Sequence, residues 1–357
     1  MAEANRFAVA TGNFSATSTW SATSGGTAGA SLPDTAQHAI IESGNNVTID
    51  VNDEIKSLTV NSGGTLTGNA SYSLTINGEG DATYGTNGYA IKITGILGAN
   101  VNFIITTAGG TQTDLIPASG SNVENLTISK SDGADEVRYD ATGLRIGGDL
   151  TVTAGTFQQS SGGGAYSLTV DDDVSITGGT LSANGGNPDM TFGSLTIASG
   201  GTYSATSGTT NITSENGTKC FDNQTGGTFT HNNGTLKFAS SIGDTTFDNA
   251  GADDFYNLTC ETNGDCKYLN AITVLNNLTI NHSNANFAAN TDGSGAITVH
   301  GITKLVDGIA FSTSDDNANA DHYGFIVIEG GTFRISDTSS ATKTCDGIRN
   351  IGGTLSG

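Results

Sequence analysis

Three consecutive aspartates, Asp171, Asp172 and Asp173, form the densest carboxylate cluster in the chain. Neighbouring side chains of a β-strand point to opposite faces, so Asp171 and Asp173 can share a face. Two carboxylates about 6.5–9.5 Å apart can hydrolyse a glycosidic bond with inversion of configuration. The alternative, which we favour, is a solvated acidic corner before Val174. The remaining acidic groups are no better placed: Asp253-Asp254, Asp315-Asp316, and Asp132 with Asp135 and Glu136. We therefore expect no catalytic residues and no enzymatic activity.

Exposed aromatic rings could contact a sugar, because one face of a ring is apolar and tyrosine adds a polar group. Tyr166 and Tyr203 occupy positions of the sequence repeat described below, where packing in the core is the better interpretation. Tyr84, Tyr89 and Tyr323 lie in segments without the repeat. These three tyrosines are our predicted glycan-binding residues.

The sequence contains no motif that indicates a metal or a cofactor. No C-x-x-C pair, EF-hand calcium loop or Gly-rich phosphate loop occurs, and the five histidines are scattered. Cys260 and Cys266 flank an Asn-Gly turn, so a hairpin disulfide is one possibility. The alternative is two free thiols buried as small apolar groups, and we favour this second interpretation.

The charge of the chain excludes some classes of partner. Its formal net charge is −22, and only 13 lysines and arginines are present in 357 residues. Binding to nucleic acid backbones needs clusters of such cations, so we expect no nucleic acid partner. No apolar stretch is long enough to cross a bilayer, and no basic segment followed by an apolar one opens the chain. We expect no membrane insertion.

A short sequence of residues, here called a phrase, recurs along the chain. The fold that it forms must position the residues discussed above. Ser57-Leu58-Thr59-Val60 returns as Ser73-Leu74-Thr75-Ile76. Further copies begin at Leu126, Leu150, Leu168, Leu195, Leu258 and Leu278. A second phrase, Gly-Gly-Thr followed by Leu, Phe or Tyr, occurs at Gly63–Leu66, Gly178–Leu181, Gly200–Tyr203, Gly226–Phe229, Gly330–Phe333 and Gly352–Leu355. Such internal repeats are typical of solenoid architectures.

The repeat predicts an all-β fold, a right-handed parallel β-helix (β-solenoid) with an N-terminal cap. In each Leu-Thr-Val phrase we expect Leu and Val to point inward and Thr outward, while Gly-Gly marks a corner. A single coil buries too little apolar surface to fold alone, so we expect each copy to lie on the previous one. Tandem β-sandwiches are the alternative architecture.

Two regions follow from this interpretation, a cap or attachment segment at 1–50 and a solenoid at 51–357. The sequence repeat is interrupted at residues 81–145 and 281–325, where we expect larger loops. The chain ends within a phrase at Gly357, so we expect an apolar solenoid end that needs a partner, another subunit or further sequence to cover it.

Residues 5–51 differ from the repeats and carry a family resemblance. The matching stretches are Asn5-Arg6-Phe7, Gly12-Asn13-Phe14, Trp20–Gly26, Gly29–Pro33 and Ala39–Ile41. This opening resembles that of many virion proteins of tailed bacteriophages, and related openings occur on bacterial surface adhesins. The resemblance covers about fifty residues. The later repeats resemble those of such proteins only in their general character.

The resemblance implies a non-enzymatic structural protein on the particle surface, as a head decoration, head fibre or tail fibre. Other virion proteins are the implied partners, together with copies of the chain itself in a homotrimer and host surface glycans. The implied location is the virion surface after synthesis in the host cytoplasm. Two alternatives remain open: a bacterial surface or secreted adhesin, located outside the cell, and a polysaccharide-degrading tailspike.

Overall fold

The computed structural model describes residues 4–78, 89–106, 112–116, 123–130, 135–139, 143–159, 166–183, 187–239, 241–289, 295–307, 321–334 and 343–356. The chain divides into two compact units. Unit 1 comprises Met1–Asp171 and Thr177–Gly186, and unit 2 comprises Asp172–Ile176 and Asn187–Gly357. The fold is nearly all β, a parallel β-solenoid with about 11 turns in all, so the predicted fold class is confirmed.

Short strands build both units. The strands up to residue 182 are β1 Ala4–Ala8, β2 Gly12–Asn13, β3 Trp20–Ser21, β4 Gln37–Ile41, β5 Asn46–Thr48, β6 Asp53–Ile55, β7 Ser57–Val60, β8 Thr65–Thr67, β9 Ser73–Ile76, β10 Tyr89–Ile93, β11 Ile96–Leu97, β12 Asn102–Ile105, β13 Gln112–Ile116, β14 Asn125–Ser129, β15 Glu136–Tyr139, β16 Leu144–Ile146, β17 Leu150–Ala154, β18 Thr156–Gln159, β19 Leu168–Ile176 and β20 Thr180–Ser182. The division between the units falls inside β19.

The later strands all belong to unit 2. They are β21 Met190–Ile197, β22 Thr202–Ser204, β23 Thr209–Ile212, β24 Lys219–Asn223, β25 Thr228–Thr230, β26 Thr235–Phe238, β27 Thr245–Asn249, β28 Asn257–Cys260, β29 Asp265–Tyr268, β30 Ile272–Val274, β31 Leu278–Asn281, β32 Asn286–Ala289, β33 Ile297–Val299, β34 Ile302–Asp307, β35 Asp321–His322, β36 Phe325–Ile328, β37 Thr332–Arg334, β38 Lys343–Thr344, β39 Gly347–Asn350 and β40 Thr354–Ser356. A single 3-10 turn, Thr17–Thr19, is the one helical element of the described chain. No helix in that part has the length and apolar character needed to span a membrane.

The early coils of unit 1 each contribute one strand to each of three parallel stacks, of which one consists of β2, β5, β8 and β11 alone. One coil consists of β7, β8 and β9, and the coil before it consists of β4, β5 and β6. Every strand therefore pairs with the equivalent strand one coil away, which satisfies its backbone hydrogen bonds without a hairpin. Unit 2 is built in the same way, with β28, β29 and β30 in one coil and β31, β32 and β33 in the next.

The inward residues of the repeat stack in register. In unit 1, Leu74, Phe103, Leu126 and Leu150 occupy one column, and all four are buried. The threonines beside them are partly exposed on the outer face. The predicted orientation of the Leu-Thr-Val phrase is therefore confirmed in these coils, and the alternation of apolar and polar residues is its cause, whereas Thr59 of the first copy is buried.

The expectation that each copy of the phrase lies on the previous one is wrong for the first two copies. Ser57–Val60 forms β7 and Ser73–Ile76 forms β9, and these strands pair with β4 and β6 respectively. The two copies therefore lie on different faces of one coil. Any inward-facing strand of a three-sided coil needs the same alternation, so the phrase recurs more often than once per turn.

The Gly-Gly pairs form corners, as predicted, and the two glycines have different roles. Gly63, Gly200 and Gly226 adopt φ values of +80°, +84° and +85°, which side chains disfavour. The second glycine lies against the backbone of the coil below. A Cβ at Gly227 would be 2.6 Å from the carbonyl oxygen of Ile197.

The N-terminal segment closes one edge of unit 1. β3 pairs antiparallel with β1, on the edge of β1 opposite to β4. Trp20 is fully buried, its Nε1–H donates to the Phe14 carbonyl at 2.8 Å, and its ring meets that of Phe14 edge to face. β4 already stacks in parallel on β7, so the coils begin before residue 51. The predicted loops at 81–145 and 281–325 lie partly outside the described residues, and β10 to β15 stack within the first of them.

Candidate functional site

The three predicted glycan-binding tyrosines have different surroundings. Tyr84 lies outside the described residues. Tyr89 is half-buried at the start of β10, and Lys92 Nζ lies 5.7 Å from the centre of its ring. This cation–π contact occupies part of the ring surface that a sugar would use.

Tyr323 packs in the core of unit 2. It is 3% exposed, and its ring meets Phe333 edge to face at 5.6 Å. Its hydroxyl donates to Asp321 at 3.3 Å. Burial raises its pKa well above the ordinary value, and the nearby Tyr268 and Asp321 add to the shift. The ring offers no face to a glycan, because it is buried and packs against Phe333.

The aspartates at 171–173 continue the strand β19 and are engaged by neighbours within each unit. In unit 1, Asp171 receives both Nε and Nη2 of Arg145, at 3.1 and 2.5 Å. In unit 2, Asp173 accepts a hydrogen bond from Ser194 Oγ at 2.6 Å. Asp172 is exposed. These contacts connect adjacent coils, and the three aspartates lie in the middle of the nine-residue strand β19 instead of at the predicted corner.

Two other acidic residues considered in the sequence, Asp253 and Glu136, also have partners within the protein. Asp253 Oδ2 accepts from the Phe229 amide at 2.6 Å and from Asn223 Nδ2 at 3.1 Å. Glu136 pairs with Arg138. Asp132, Asp315 and Asp316 lie outside the described residues. None of the described contacts forms a pair of carboxylates facing a cleft.

Sequence reasoning missed an acidic group in unit 1. Burial raises the pKa of Asp53, and the neighbouring carboxylates of Asp34, Asp50 and Glu54 raise it further. Burial raises the pKa of Asp50, but the hydrogen bonds to its carboxylate, chiefly those from Ser15, together lower it by more. Asp34 is distant from the other three residues in the sequence and comes close to them only because the coils stack. The sequence alone therefore does not reveal this group. The described residues contain no set of three or more His, Cys, Asp or Glu side chains arranged to hold a metal ion.

All four cysteines belong to unit 2, and three of them are buried in its core. Cys220, Cys260 and Cys266 are buried, Cys345 is exposed, and all four are free thiols. Cys260 and Cys266 are in hydrogen-bond contact across the turn that joins β28 to β29. Burial raises the pKa of Cys220 to about 12 and that of Cys266 well above its ordinary value.

Two shallow depressions are present on the described surface. A groove of about 200 Å³ in unit 1 is lined by Phe7, Ser24, Ile40, Glu42, Thr59 and Asn61. A second one, of about 130 Å³ in unit 2, is lined by Thr218, Asp244, Thr245, Thr246, Asp265 and Lys267. In the first groove, the Glu42 carboxylate already accepts hydrogen bonds from the Ser24 hydroxyl and the Gly25 amide, both in the N-terminal segment.

Phe325 is the most exposed aromatic residue of the described chain, with 40% of its surface accessible. It begins β36, in which Ile326 and Ile328 point inward, so alternation directs Phe325 outward. The same alternation could have identified it from the sequence. The predicted glycan-binding residues are all tyrosines, and Phe325 is not among them.

The chain was compared with known proteins in three ways, by family model, by curated sequence and by solved structure. The comparisons returned no match to a family model, to a curated protein or to a solved structure.

Proposed function

We propose that the chain is a non-enzymatic structural protein of a tailed-phage virion, displayed on the particle surface. The observation that carries this proposal is the N-terminal segment that resembles virion openings. Asn5 to Phe7 lie in β1, Trp20 lies in β3, and Pro33 is buried, so the segment is an integral part of the solenoid end. A cap built into the fold suits a module that is presented at a surface.

The proposed role is mechanical and interfacial. Continuous ladders of backbone hydrogen bonds make a stiff, protease-resistant body, because local opening must break pairing with two neighbouring coils. The net charge of −22 keeps such a β-rich surface apart from its neighbours. The corners then carry the contacts with other virion proteins, with further copies in a trimer, and with host glycans.

The contacts of the aspartates favour this role over that of a polysaccharide-degrading tailspike. Asp171 and Asp173 are the acids that hydrolysis would require, and Arg145 and Ser194 engage them. A bacterial adhesin shares the solenoid and the corner loops, and it differs from a virion protein in where the chain is found.

Immunogold electron microscopy on particles and cells from the source culture tests the proposal, with antibody raised against this chain. Gold on capsid faces or vertices indicates a decoration or head fibre, and gold on the tail indicates a fibre. Gold on cell envelopes, with unlabelled particles, would contradict the proposal and favour the adhesin. Sedimentation of the purified chain tests the trimer separately.

A further inference from the structure

One corner of unit 2 presents a row of outward side chains, Tyr256, Leu275, His300, Ile302 and Phe325, which we name the corner ridge. It lies where the stack of β30, β33 and β35 meets the stack of β28, β31, β34 and β36. The Asn276 amide donates to the Tyr256 carbonyl at 2.8 Å, and Ile302 pairs with Phe325. The ridge therefore follows four successive coils.

The ridge is apolar and accessible. Leu275, Ile302 and Phe325 are 36%, 41% and 40% exposed. The Phe325 ring lies over Gly347 of the next coil, where a Cβ would be only 2.9 Å from Phe325 Cε2. The lack of a side chain at Gly347 leaves room for the ring beside that coil, while 40% of Phe325 remains accessible. At the other end, Tyr256 stacks on His231 with ring centres 5.6 Å apart.

Amide groups flank the ridge on one side. Asn257 Oδ1 accepts from Asn276 Nδ2 at 2.9 Å, and Asn277 Oδ1 accepts from the Ile302 amide at 3.1 Å. Both oxygens are thus used to fix the side chains. Among the described residues, neither the Nδ2 of Asn257 nor that of Asn277 donates to a protein atom, so both remain available as donors.

This combination of groups fits a neutral sugar chain. The C–H face of a pyranose packs on aromatic and aliphatic surfaces, and its hydroxyls accept hydrogen bonds from amides. The ridge contains no carboxylate, lysine or arginine, and the net charge of −22 disfavours an anionic polymer. Adjacent coils are about 4.8 Å apart, which is comparable to the length of one hexose in an extended chain.

A protein partner fits the ridge less well. A stable protein–protein interface buries about 800 Å² on each partner, contributed by about 20–30 residues. The ridge offers five side chains in a single row. A second copy of this chain would also bring an equal negative charge, which opposes association.

We infer that the corner ridge binds an extended neutral polysaccharide, with successive sugars on successive coils. This binding role deepens the proposed function, since a displayed protein would meet host surface glycans. Phe325 and Tyr256 supply the aromatic contacts at the two ends, Leu275 and Ile302 supply the apolar floor, and the two asparagines donate to hydroxyls.

Affinity electrophoresis of the purified full chain tests the inference. Native gels contain dextran, yeast mannan or a linear β-glucan, and the retardation of the band measures binding. We expect retardation by at least one of these polymers. Phe325→Ala and Tyr256→Ala should each weaken it by about fivefold, as expected for the loss of one aromatic contact.

Ile96→Ala is the matched control, because Ile96 is an exposed aliphatic residue of unit 1, 58% accessible, and far in sequence from the ridge. It should leave retardation unchanged. Equal retardation of all variants, or no retardation of the native chain by any of the three polymers, would overturn the inference. A change in sedimentation mass of Phe325→Ala with unaltered gel mobility would identify a self-contact and overturn it too. Immunogold labelling locates the chain whatever the gels show, so the proposed function is tested independently.

Discussion

At the residue scale, a buried ion pair in unit 2 shows how polar groups are accommodated between coils. Lys343 Nζ lies 2.5 Å from Asp321 Oδ2, with side-chain exposures of 9% and 1%. The other carboxylate oxygen, Oδ1, accepts from the Ile297 amide at 3.0 Å. The pair therefore links three successive coils, and its charges are satisfied inside the protein.

Replacing Lys343 with Met should destabilise the protein strongly. The substitution leaves the Asp321 carboxylate buried without its cation, and breaking a buried pair in this way costs about 3–5 kcal/mol. Lys304→Met is the control, because the Lys304–Glu329 pair is more than one-third exposed on both sides. An exposed pair contributes about 0–1 kcal/mol. Urea unfolding followed by circular dichroism measures both, and equal midpoints for the two variants would refute the expectation.

The thiols should react according to their burial. Cys345 is exposed, whereas Cys220, Cys260 and Cys266 are buried. A thiol reagent added to the native protein should modify one cysteine quickly, because reaction requires an accessible thiolate. The same titration in denaturant should count four thiols. A count of two in denaturant would show that Cys260 and Cys266 are joined in a disulfide.

Three of the buried tyrosines should make the protein sensitive to alkali. Burial raises the pKa of Tyr203, Tyr268 and Tyr323 above the ordinary value near 10. Each folded pKa lies above the unfolded one, so the folded state holds its proton more tightly. The resulting stability is complete below the unfolded pKa and is lost as pH rises towards the folded pKa.

The measurement is a pH titration that records phenolate absorbance together with circular dichroism. The buried tyrosines should ionise only as the β-signal disappears. Full phenolate absorbance with an intact β-signal would show that the hydroxyls are accessible in the folded protein.

At the element scale, the Gly-Gly corner determines whether one coil can lie on another. Gly226 provides a φ of +85°, and Gly227 allows the backbone of one coil to approach the Ile197 carbonyl of its neighbour. The two requirements are independent, the first conformational and the second steric. This corner therefore needs both glycines, as do those that begin with Gly63 and Gly200, whereas in Gly330-Gly331 the second glycine has the positive φ.

Gly227→Ala should destabilise unit 2, since its Cβ would lie 2.6 Å from a backbone oxygen that cannot rotate away. Overpacking of this type costs about 1–3 kcal/mol. Gly243→Ala is the control, because a Cβ there has no neighbour within 4 Å. That variant should have unchanged stability or be more stable by about 0.4–1 kcal/mol, because alanine lowers the conformational entropy of the unfolded chain. Thermal unfolding compares them, and a stable Gly227→Ala variant would show that the corner can shift.

Much of the fold could be predicted from the sequence, because alternation and corner glycines are local properties. The inward direction of Leu74 and the corner at Gly63 both follow from a few adjacent residues. The face of the coil on which each phrase lies could not be predicted, since every face needs the same alternation. Tyr323 shows a further limit. Its burial depends on the stacking of β35 on β33, which no local pattern reveals.

At the scale of the whole molecule, charge is the least balanced property. The chain has 35 acidic residues against 13 lysines and arginines. Parallel stacking places equivalent positions of neighbouring coils about 4.8 Å apart, so unpaired carboxylates on one face repel at short range. Ion pairs between coils, such as Lys237–Glu261 and Lys304–Glu329, relieve part of this repulsion.

Added sodium chloride should therefore stabilise the protein. Salt screens both attraction and repulsion between exposed charges. The exposed pairs contribute about 0–1 kcal/mol each, whereas 22 unbalanced negative charges repel throughout the molecule. We expect repulsion to be the larger effect, so the thermal midpoint should rise from low salt to physiological ionic strength and then level off. Sucrose at matched osmolality serves as the uncharged control. A midpoint that falls with salt would mean that the ion pairs between coils outweigh the excess charge.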